Sequence, residues 1–508
     1  MIILASLLIG LLYTNPAAFF LIIAVGYLLW QWLRYNFKFW QRENVPGPKP
    51  SLLFGNLGAS LAMKKHIAEM AEEWYKEFPN EPFVGYYKVF KPAVFLRDPE
   101  LIKAVLVKDH TCFSANDFTF NEKHNPLMRD NPFLIDGERW KKARQVLTPL
   151  YTGSKMKQLF HALDQGCSQF VEYIGRRLGE DLEAKSISAV YTTQNVVGCA
   201  FSLDAECFEN PNNEWRVMGK KIFQPTLFAG ITMLVTIFVP FIAQYLPIRL
   251  IPKEVEDWFR RTISSILEER KKESVPREDQ LQTLLNPKAQ TNLSAEQIAG
   301  HALTFFTEGY ETSSTGLSFA LYHLANNPSV QEKLHQEISR VIAETGDQLS
   351  YDDMQSIEYL DWVLQETLRI NPPAAVLQKR TTKQYLLKRK INGQDVGTLL
   401  TEGTPVTVPI TAIHMDPKYH PEPELFRPER FSPAEKTDRT QLVYFPFGEG
   451  PRMCLGMRFA QTQIKIALIR LVQSYRIRLS PNHKPFHIDR RAFLVQARDG
   501  LLLNFEKR

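Results

Sequence analysis

The sequence predicts a mainly helical protein in which one large domain, with a few short strands, follows an N-terminal membrane anchor. Three observations support this prediction. The first 33 residues carry no charged side chain, a turn-rich stretch follows them, and apolar residues farther along recur at helical spacing. Beyond the turn-rich stretch there is no Gly/Ser linker, no charge block and no sequence repeat, so we expect a single domain there.

The N-terminal segment, Met1–Leu33, has the composition of a membrane-spanning helix. A span needs about 20 apolar residues, and this uncharged segment exceeds that length. Arg34, Lys38 and Arg42 follow it, and by the positive-inside rule these cations keep the rest of the chain in the cytosol. The alternative is a cleaved signal peptide, but the basic start and small-residue cleavage site of such a peptide are missing. We therefore predict an uncleaved anchor.

A second uncharged run lies between Lys221 and Arg249. One interpretation is a second span, which would place the rest of the chain in the lumen, apart from its first half. The run also contains Pro225, Pro240 and Pro247, which interrupt helices. We therefore favour an apolar segment that dips into the bilayer face or lies on the fold.

The turn-rich stretch Val45–Pro50 reads VPGPKP and marks the end of the anchor region. It divides the chain into a transmembrane signal-anchor over residues 1–33, a basic and proline-rich connector over 34–50, and one domain over 51–508.

Several helices of this domain can be placed from sequence patterns. The clearest begins at Ser294, where Ser-x-x-Gln with Gln297 is a capping box, and continues to Asn326. The others are a helix that begins after Gly137, one over Ser329–Gly346, one over Leu360–Ile370 that stops before two prolines, and a last helix with an apolar stripe at Ala460, Ile464, Ala467, Leu468 and Leu471.

Charge and cysteine content exclude several classes of protein. A net charge of +6 is too small for a chain of 508 residues to indicate nucleic-acid binding. The 5 cysteines are few and widely spaced, without a CxxC pair, so they predict neither a disulfide framework nor a zinc site. Cys112, Cys167, Cys199 and Cys207 are interpreted as small buried apolar residues, which leaves Cys454 to be explained.

Cys454 lies in the glycine-rich turn FPFGEGPRMCLG, residues 445–456. It stands at the start of the last predicted helix, where backbone N–H groups and the helix dipole stabilise a thiolate. The glycines let the backbone approach a flat, bulky group, and Arg452 supplies a cation for a carboxylate. A reactive or buried cysteine on a tight turn would account for Cys454 alone. A thiolate, backbone clearance and a cation together describe an axial ligand to haem.

With these residues the chain resembles the cytochrome P-450 haem-thiolate monooxygenases. The loop matches their signature, Phe-x-x-Gly-x-Arg-x-Cys-x-Gly, at every fixed position. The resemblance implies one haem b with Cys454 as the axial ligand of its iron. It also implies that Arg452 pairs with a carboxylate and that Phe447, Gly448 and Gly456 shape the loop at the cofactor.

Two further positions concern the haem propionates. Trp140-x-x-x-Arg144 lies on one helix face and, without the resemblance, would be a core tryptophan beside a surface arginine. The resemblance implies that both contact a propionate. Farther along, the family often has an arginine that reaches a propionate. Lys379 aligns there directly and Arg380 follows it; a lysine offers only a point charge, so we assign this contact to Arg380, and a shift by one residue stays open.

The stretch EGYETSS, residues 308–314, interrupts the long predicted helix with glycine and polar side chains. It resembles the family motif Ala/Gly-Gly-x-Asp/Glu-Thr, which implies that Thr312 and Glu311 form a proton relay beside the haem. A helical threonine ordinarily bonds its own backbone, and in the family that bond is opened. Glu308 replaces the usual small residue; it either points away from the haem or polarises the pocket.

A third motif is structural. Glu366-x-x-Arg369 by itself is an ordinary helical ion pair, which contributes little at a surface. The resemblance implies that the pair is buried, joined by Arg430 of the PERF motif, and holds the scaffold behind the cysteine loop.

The resemblance covers essentially the whole chain after the connector, and residues 147–157 and 412–431 look like the microsomal, insect-type branch. It implies a helical prism around a buried haem, with a small β-rich region near the N-terminus. It also implies monooxygenation of a small apolar substrate, by hydroxylation or epoxidation, with O2 as co-substrate. The substrate class stays open between xenobiotics and hormones or lipids. Positions that match the family's pocket lining are Phe113, Phe118, Phe305, Phe306, Val376 and Phe493, although an aromatic residue is more often plain core.

The same resemblance implies an endoplasmic reticulum location, with the catalytic domain on the cytosolic side and membrane lipid around the anchor. Electrons would come from NADPH through the membrane-bound NADPH–cytochrome P-450 reductase, with a small membrane haem protein as a further candidate donor. Lys141, Lys142 and Arg458 lie beside the relevant motifs and can face an acidic partner; each is equally well explained as a solvated charge. No nucleic-acid partner is expected.

Two rival interpretations belong to other classes. A protein that only sequesters haem or an apolar ligand would not need Glu311 and Thr312. An isomerase or dehydratase on the same scaffold would rearrange a hydroperoxide without a reductase, and such enzymes commonly lose the relay threonine. Reductase-dependent oxygen uptake separates these two interpretations and the monooxygenase from one another.

Overall fold

Helices make up most of the described chain, as the sequence predicts. The computed structural model describes residues 13–223, 232, 235–236, 243–285, 293–345, 349–391, 394–435 and 443–508. Within these residues the α-helices are α1 Pro16–Asn36, α2 Phe39–Arg42, α3 Gly58–Leu61, α4 Ile67–Glu77, α5 Pro99–Lys103, α6 Gly137–Leu147, α7 Gly153–Gly175, α8 Ala184–Phe201, α9 Glu214–Phe223, α10 Lys253–Arg270, α11 Gln280–Leu285, α12 Ala295–Asn326, α13 Pro328–Thr345, α14 Tyr351–Ser356, α15 Glu358–Ile370, α16 Ile410–His414 and α17 Met457–Ser474.

The predicted helices are confirmed, with small shifts at their ends. The capping box of α12 is complete: the Ser294 hydroxyl accepts from the Gln297 N–H, and the Gln297 side chain accepts from the Ser294 N–H. The helix then runs for 32 residues. Helices α6, α13, α15 and α17 also form where the patterns place them.

The first described helix, α1, is the one helix among the described residues with the length and hydropathy of a membrane span. Asn15 caps it by accepting from the Ala18 N–H, and nearly all of its side chains are exposed. Its C-terminal end packs on the domain, where the Trp32 ring lies 6.2 Å from the Phe90 ring. The second uncharged run lies mostly outside the described residues.

Strands form three sheets among the described residues. They are β1 Phe83–Lys88, β2 Lys91–Leu96, β3 Ala115–Asn116, β4 Leu182–Glu183, β5 Val376–Arg380, β6 Tyr385–Ile391, β7 Gln394–Leu400, β8 Pro405–Pro409, β9 Tyr475–Leu479 and β10 Leu502–Lys507. The largest sheet has the order β1-β2-β8-β5-β3, in which β2 and β8 are parallel and the other pairs antiparallel. The expected β-rich region near the N-terminus is therefore completed by strands from far along the chain.

Helix α12 passes through the helical core, and most of its side chains are buried. Helix α8 packs against it, with the Thr192 hydroxyl donating to Tyr310 O at 3.0 Å. Helix α17 contacts the same turn, with the Gln463 amide donating to Gly309 O at 3.1 Å. The fold thereby brings the EGYETSS stretch of α12 close to the helix that follows Cys454.

The remaining cysteines behave as expected. Cys167, Cys199 and Cys207 are buried and Cys112 is half-buried; none forms a disulfide. Burial raises the pKa of the Cys199 thiol to about 12 and that of the Cys207 thiol to about 11. These thiols are inert apolar side chains at neutral pH.

Candidate active site

Cys454 lies in a loop whose shape is set by backbone hydrogen bonds. The Gly448 N–H donates to Phe445 O at 2.9 Å, and the Cys454 N–H donates to Phe447 O at 2.9 Å. A 3-10 turn, Gly450–Arg452, lies between them. The loop thus presents Cys454 just before α17 begins.

Two glycines are required by this loop. Gly448 and Gly450 have φ of +72° and +73°, a region that side chains rarely adopt. A Cβ on Gly450 would also lie 2.1 Å from the carbonyl oxygen of Leu106. Gly456 has an ordinary φ of −83°, and a Cβ there would lie 3.7 Å from the Tyr151 ring, so its backbone carries no strain.

The Cys454 sulfur is accessible, yet protein surrounds it. The side chain is exposed, so a ligand can reach it. Burial nevertheless raises the pKa of the thiol to about 11, and the charge of Glu308 adds to this, while the N–H groups of Gly456 and Met457 lower it. The backbone N–H groups at the start of α17 thus lower the thiol pKa, as the sequence predicts, but burial raises it by more. A thiol with this pKa stays protonated at neutral pH unless a bound cation displaces its proton.

Trp140, Arg144 and Arg452 come together beside this loop. The Arg452 guanidinium lies over the Trp140 ring, 4.5 Å from its centroid, and donates to the carbonyl oxygens of Pro132 and Ile135 at 2.9 and 2.6 Å. Burial lowers the pKa of Arg452 to about 10, with Asp136 opposing and Arg144 assisting.

Arg144 itself donates to Met453 O at 2.8 Å, within the cysteine loop. The sequence motif therefore places an arginine directly on the loop.

The structure separates Lys379 from Arg380, because successive residues of β5 point to opposite faces. Arg380 forms an ion pair with Asp136 at 2.7 Å. Lys379 is buried and donates to Asn116 Oδ1 at 2.8 Å. Burial, assisted by the charge of Arg452, lowers the pKa of Lys379 to about 7. Of the two, Lys379 lies near Arg452 without an acidic partner, so this geometry favours Lys379 over the residue that we assigned from the sequence.

The residues present fit the haem that the resemblance implies. Arg144, Arg452 and Lys379 donate to neutral oxygens, and among the described residues none of them forms an ion pair with a carboxylate, although Asp136 is near enough to Arg452 to act on its pKa. The Arg452 Nε is buried without a hydrogen-bond acceptor. A buried cation is costly without a counter-charge, and the two propionates of a haem supply such charges. An accessible cysteine and a loop of glycines complete the fit.

Thr312 and Glu308 lie one turn apart on α12. The Thr312 hydroxyl donates to Glu308 O at 2.7 Å, so the ordinary helical bond is present here, in contrast to the opened bond that the resemblance implies. The Glu308 Oε1 accepts from the Asn131 amide at 2.8 Å. Burial by the surrounding protein raises the Glu308 pKa to about 6. The charge of Glu308 also raises the pKa of the Cys454 thiol, whereas the contact of its carboxylate is with Asn131.

Glu311 faces a different side of α12. Its carboxylate forms an ion pair with Lys185 at 3.0 Å and accepts from the Gln496 amide at 2.9 Å. Lys185 also donates to Glu311 O and to the Ser314 hydroxyl, at 2.8 and 2.5 Å. Glu311 and Thr312, which the resemblance implies form a relay, are therefore neighbours on α12 whose side chains are held by different partners.

The Glu366–Arg369–Arg430 cluster has the geometry that the resemblance implies. Arg369 Nε lies 2.8 Å from Glu366 Oε2, and Arg430 Nε lies 2.9 Å from Glu366 Oε1. The side chains of Glu366 and Arg369 are fully buried. Arg369 donates in addition to the carbonyl oxygens of His414 and Pro423 at 2.9 and 2.7 Å, so the cluster joins α15 to the chain before the cysteine loop.

The aromatic candidates for the substrate pocket fall into two groups. Phe118 packs against Phe133 and Phe493, at ring distances of 4.9 and 6.2 Å, and lines a cavity of about 380 Å³. Phe305 lies 6.2 Å from the Tyr151 ring, near the cysteine loop.

The second group is core. Phe306 is fully buried against Trp215 and Phe259, and Phe113 is buried against Tyr385. Val376 is half-buried between the two apolar cores. Phe113, Phe118, Phe305 and Phe306 are thus all buried, and Phe493 is exposed; of the six candidates, Phe305 contacts Tyr151, which lies beside Gly456 of the cysteine loop.

The three cations proposed to face a partner are all exposed: Lys141, Lys142 and Arg458. Lys141 pairs with Glu138 at 2.5 Å.

Sequence reasoning missed Lys185, Asn131 and His414 as neighbours of the site. Lys185 lies 126 positions from Glu311, and no local pattern connects residues that far apart. His414 stood in a segment that carried the resemblance, but nothing in the sequence indicated its contacts.

Comparison with known proteins bears on the identity of this site. The family described as Cytochrome P450 matches residues 45–505. Cytochrome P450 6a2 of Drosophila melanogaster is 31% identical, covering 90% of this chain and 93% of that protein. Cytochrome P450 9e2 of Blattella germanica is 32% identical, covering 96% of each chain. Cytochrome P450 6A1 of Musca domestica is 31% identical, covering 96% of this chain and 98% of its own.

Proposed function

The chain belongs to the cytochrome P450 family, as a monooxygenase that uses haem and O2, and we propose that the Cys454 loop is its haem site. In this proposal Cys454 Sγ binds the iron, and Arg144, Arg452 and Lys379 pair with the haem carboxylates. The observation that carries the proposal is the group of cations without acidic partners beside an accessible cysteine. The Trp140 ring packs against the Arg452 guanidinium.

The haem, when bound, supplies the activation of molecular oxygen. The chain supplies the sulfur ligand, an apolar surrounding and protons. Thr312 holds a proton at Oγ1, because its bond to Glu308 O leaves the oxygen lone pairs free to accept. Glu311 passes protons to Thr312 from the side of Lys185, whose side chain is 21% exposed and so is in contact with solvent. The described residues show no hydrogen bond between the Glu311 carboxylate and the Thr312 hydroxyl, so this transfer requires the Glu311 side chain to rotate.

The length and hydropathy of α1 and the charges after it support membrane anchoring. We assign residues 1–33 to the anchor, 34–50 to the connector and 51–508 to the haem domain, although the helix itself continues to Asn36. The cations after the anchor favour a cytosolic domain at the endoplasmic reticulum membrane. The exposed cations Lys141, Lys142 and Arg458 suit docking of NADPH–cytochrome P-450 reductase.

The substrate is a small apolar molecule, hydroxylated or epoxidised near α12. Phe305, beside Tyr151 near the cysteine loop, supports this proposal with apolar surface; the cavity beside Phe118 does not, because charged side chains such as Asp117, Arg139 and Arg380 line it. Both xenobiotics and hormones or lipids fit this description.

The test is oxygen uptake by the purified full chain in lipid vesicles with reductase and NADPH. The proposal predicts substrate-stimulated uptake and an oxygenated product, both dependent on reductase. A haem-binding protein would show neither. A hydroperoxide isomerase would give product from a hydroperoxide without reductase, and that result would overturn the proposal.

A further inference from the structure

His414 joins two parts of the molecule through its two ring nitrogens. It is fully buried at the end of α16. Its Nδ1 lies 3.2 Å from Arg369 O, and its Nε2 lies 3.1 Å from the backbone nitrogen of Phe445. A backbone N–H can only donate, so Nε2 must be the acceptor. The ring proton therefore sits on Nδ1, where it donates to Arg369 O.

On the Arg369 side, His414 provides a hydrogen-bond donor to the C-terminal end of α15. Helix α15 ends at Ile370, and the last carbonyl groups of a helix have no partner within it. His414 Nδ1–H supplies a partner for Arg369 O, while Arg369 Nη1 donates back to His414 O at 2.9 Å. The imidazole is thereby tied to the buried Glu366–Arg369–Arg430 cluster by reciprocal bonds.

The Phe445 side leads into the cysteine loop. The Phe445 N–H donates to His414, and the Phe445 carbonyl accepts from Gly448 at 2.9 Å. Two residues farther along, the Phe447 carbonyl accepts from the Cys454 N–H at 2.9 Å. A continuous series of hydrogen bonds and short chain segments therefore runs from Arg369 through His414 to Cys454.

The ring is also held by its neighbours. Tyr444 stacks on it at 5.4 Å and 22°, and Phe445 meets it edge-on at 5.4 Å and 70°. Burial, together with His420 and Arg369, keeps the pKa of His414 well below its ordinary value. The neutral tautomer that the bridge requires is thus the stable one.

We propose that His414 is a positioning residue for Cys454, which fixes the start of the cysteine loop to the buried arginine cluster so that the sulfur stays aligned with its metal. This proposal rests on the assignment of Cys454 as the iron ligand. It concerns how the loop is held, and it adds no group that touches substrate or cofactor.

Three substitutions separate this role from general support of the core. His414→Gln places an amide oxygen near the Nε2 position, where it accepts from the Phe445 N–H. His414→Asn places an amide N–H near the Nδ1 position and loses the acceptor for Phe445. His414→Leu removes both the donor at the Nδ1 position and the acceptor at the Nε2 position. The matched control is His420→Gln, because His420 is also buried on this segment but its Nε2 meets only Val443 O, at 3.4 Å.

The measurement is the carbon monoxide difference spectrum of the reduced full-length holoprotein, followed over time in mild urea. It reports the fraction that retains thiolate ligation and the rate at which this form is lost. We expect about tenfold faster loss for His414→Asn and His414→Leu, because a buried N–H is left unpaired. His414→Gln and His420→Gln should match the wild type.

Equal loss in His414→Gln and His414→Asn would overturn the proposal, since the acceptor at Phe445 would then not matter. Wild-type rates in all three His414 variants would also overturn it. If His414→Leu does not fold, the contrast between Gln and Asn still decides. A wild-type protein without a thiolate-type spectrum would instead refute the assignment of Cys454, which distinguishes failure of the proposed function from failure of this inference.

Discussion

The two sides of the candidate site are held in different ways. On the cysteine side, the loop is fixed by contacts between distant segments: Arg144 donates to Met453 O, His414 accepts from Phe445, and Arg452 donates to Pro132 and Ile135. On the α12 side, Thr312 bonds only its own helix, at Glu308 O. The comparison indicates a ligand loop that is fixed from several segments and, on α12, a Thr312 hydroxyl that can exchange its partner. Glu308 and Glu311 on the same helix are held by Asn131 and Lys185.

This difference has a physical reason. A metal ligand must keep one position, and cross-linking bonds remove alternatives to it. A group that accepts and donates protons must change its hydrogen bonds during each cycle. A local bond within a helix, such as that of Thr312, can be exchanged without moving the fold.

The largest effect should come from removing the ligand itself. Cys454→Ser puts a hydroxyl where the sulfur was, and a hydroxyl is not equivalent to a thiolate as an iron ligand. The thiolate-type carbon monoxide spectrum should therefore disappear. Cys112→Ser is the control, because Cys112 is half-buried far along the chain from the loop. An unchanged spectrum in Cys454→Ser would refute the ligand assignment.

Breaking the scaffold behind the loop should have the next largest effect. Glu366→Gln leaves Arg369 and Arg430 buried without their carboxylate. We expect a loss of about 3–5 kcal/mol in the free energy of unfolding, measured by urea denaturation of the holoprotein. Glu506→Gln breaks an exposed pair with Arg478 and should cost less than about 1 kcal/mol. Similar losses in the two variants would contradict the buried role of the cluster.

The α12 side predicts a functional effect without a large structural one. Thr312→Ala removes the hydroxyl that we assign to proton transfer, so NADPH should be consumed with less product and more peroxide. Thr315→Ala removes a similar bond, to Glu311 O at 3.0 Å, but Thr315 is buried in the core, and its coupling should stay near that of the wild type. Equal coupling in Thr312→Ala and wild type would count against the relay.

The smallest expected effect is on the pH dependence of the free energy of unfolding, through His420 on the cysteine side. Burial lowers the pKa of His420 to about 4, whereas an unfolded histidine titrates near 6.5. Between these values the unfolded chain binds more protons than the folded one. Stability is therefore present above about pH 6.5 and falls as the pH drops toward 4, by up to about 1.4 kcal/mol per pH unit for each such histidine.

His420→Gln tests this sign directly. Its free energy of unfolding should fall less steeply than that of the wild type between these pH values, as measured by urea denaturation at several pH values. His161→Gln, at an exposed position, should keep the wild-type slope. Identical slopes in all three proteins would show that His420 does not titrate in this way.

The sequence predicted most of what depends on local signals. The capping box at Ser294 located the start of α12, and the motif at Cys454 located the loop that contacts Arg144 and Trp140. Long-range pairings were not predictable, because nothing local indicates that Val94 pairs with Val406 in the main sheet.

The same limit applies to the site. Whether Lys379 or Arg380 lies near Arg452 depends on the face of β5 that packs inward, which the sequence left open. Likewise, the motif identified Glu311 but not its pairing with Lys185, since that contact arises from the packing of α8 on α12.

The most direct test of the account is the absorbance spectrum of the dithionite-reduced protein under carbon monoxide. A strongly red-shifted Soret band is the predicted result, because it reports a thiolate bound opposite the gas. A band at the ordinary, imidazole-like position would mean that Cys454 is not the ligand and would contradict the central claim. Absence of any haem band would contradict the assignment of the cationic loop as a haem site.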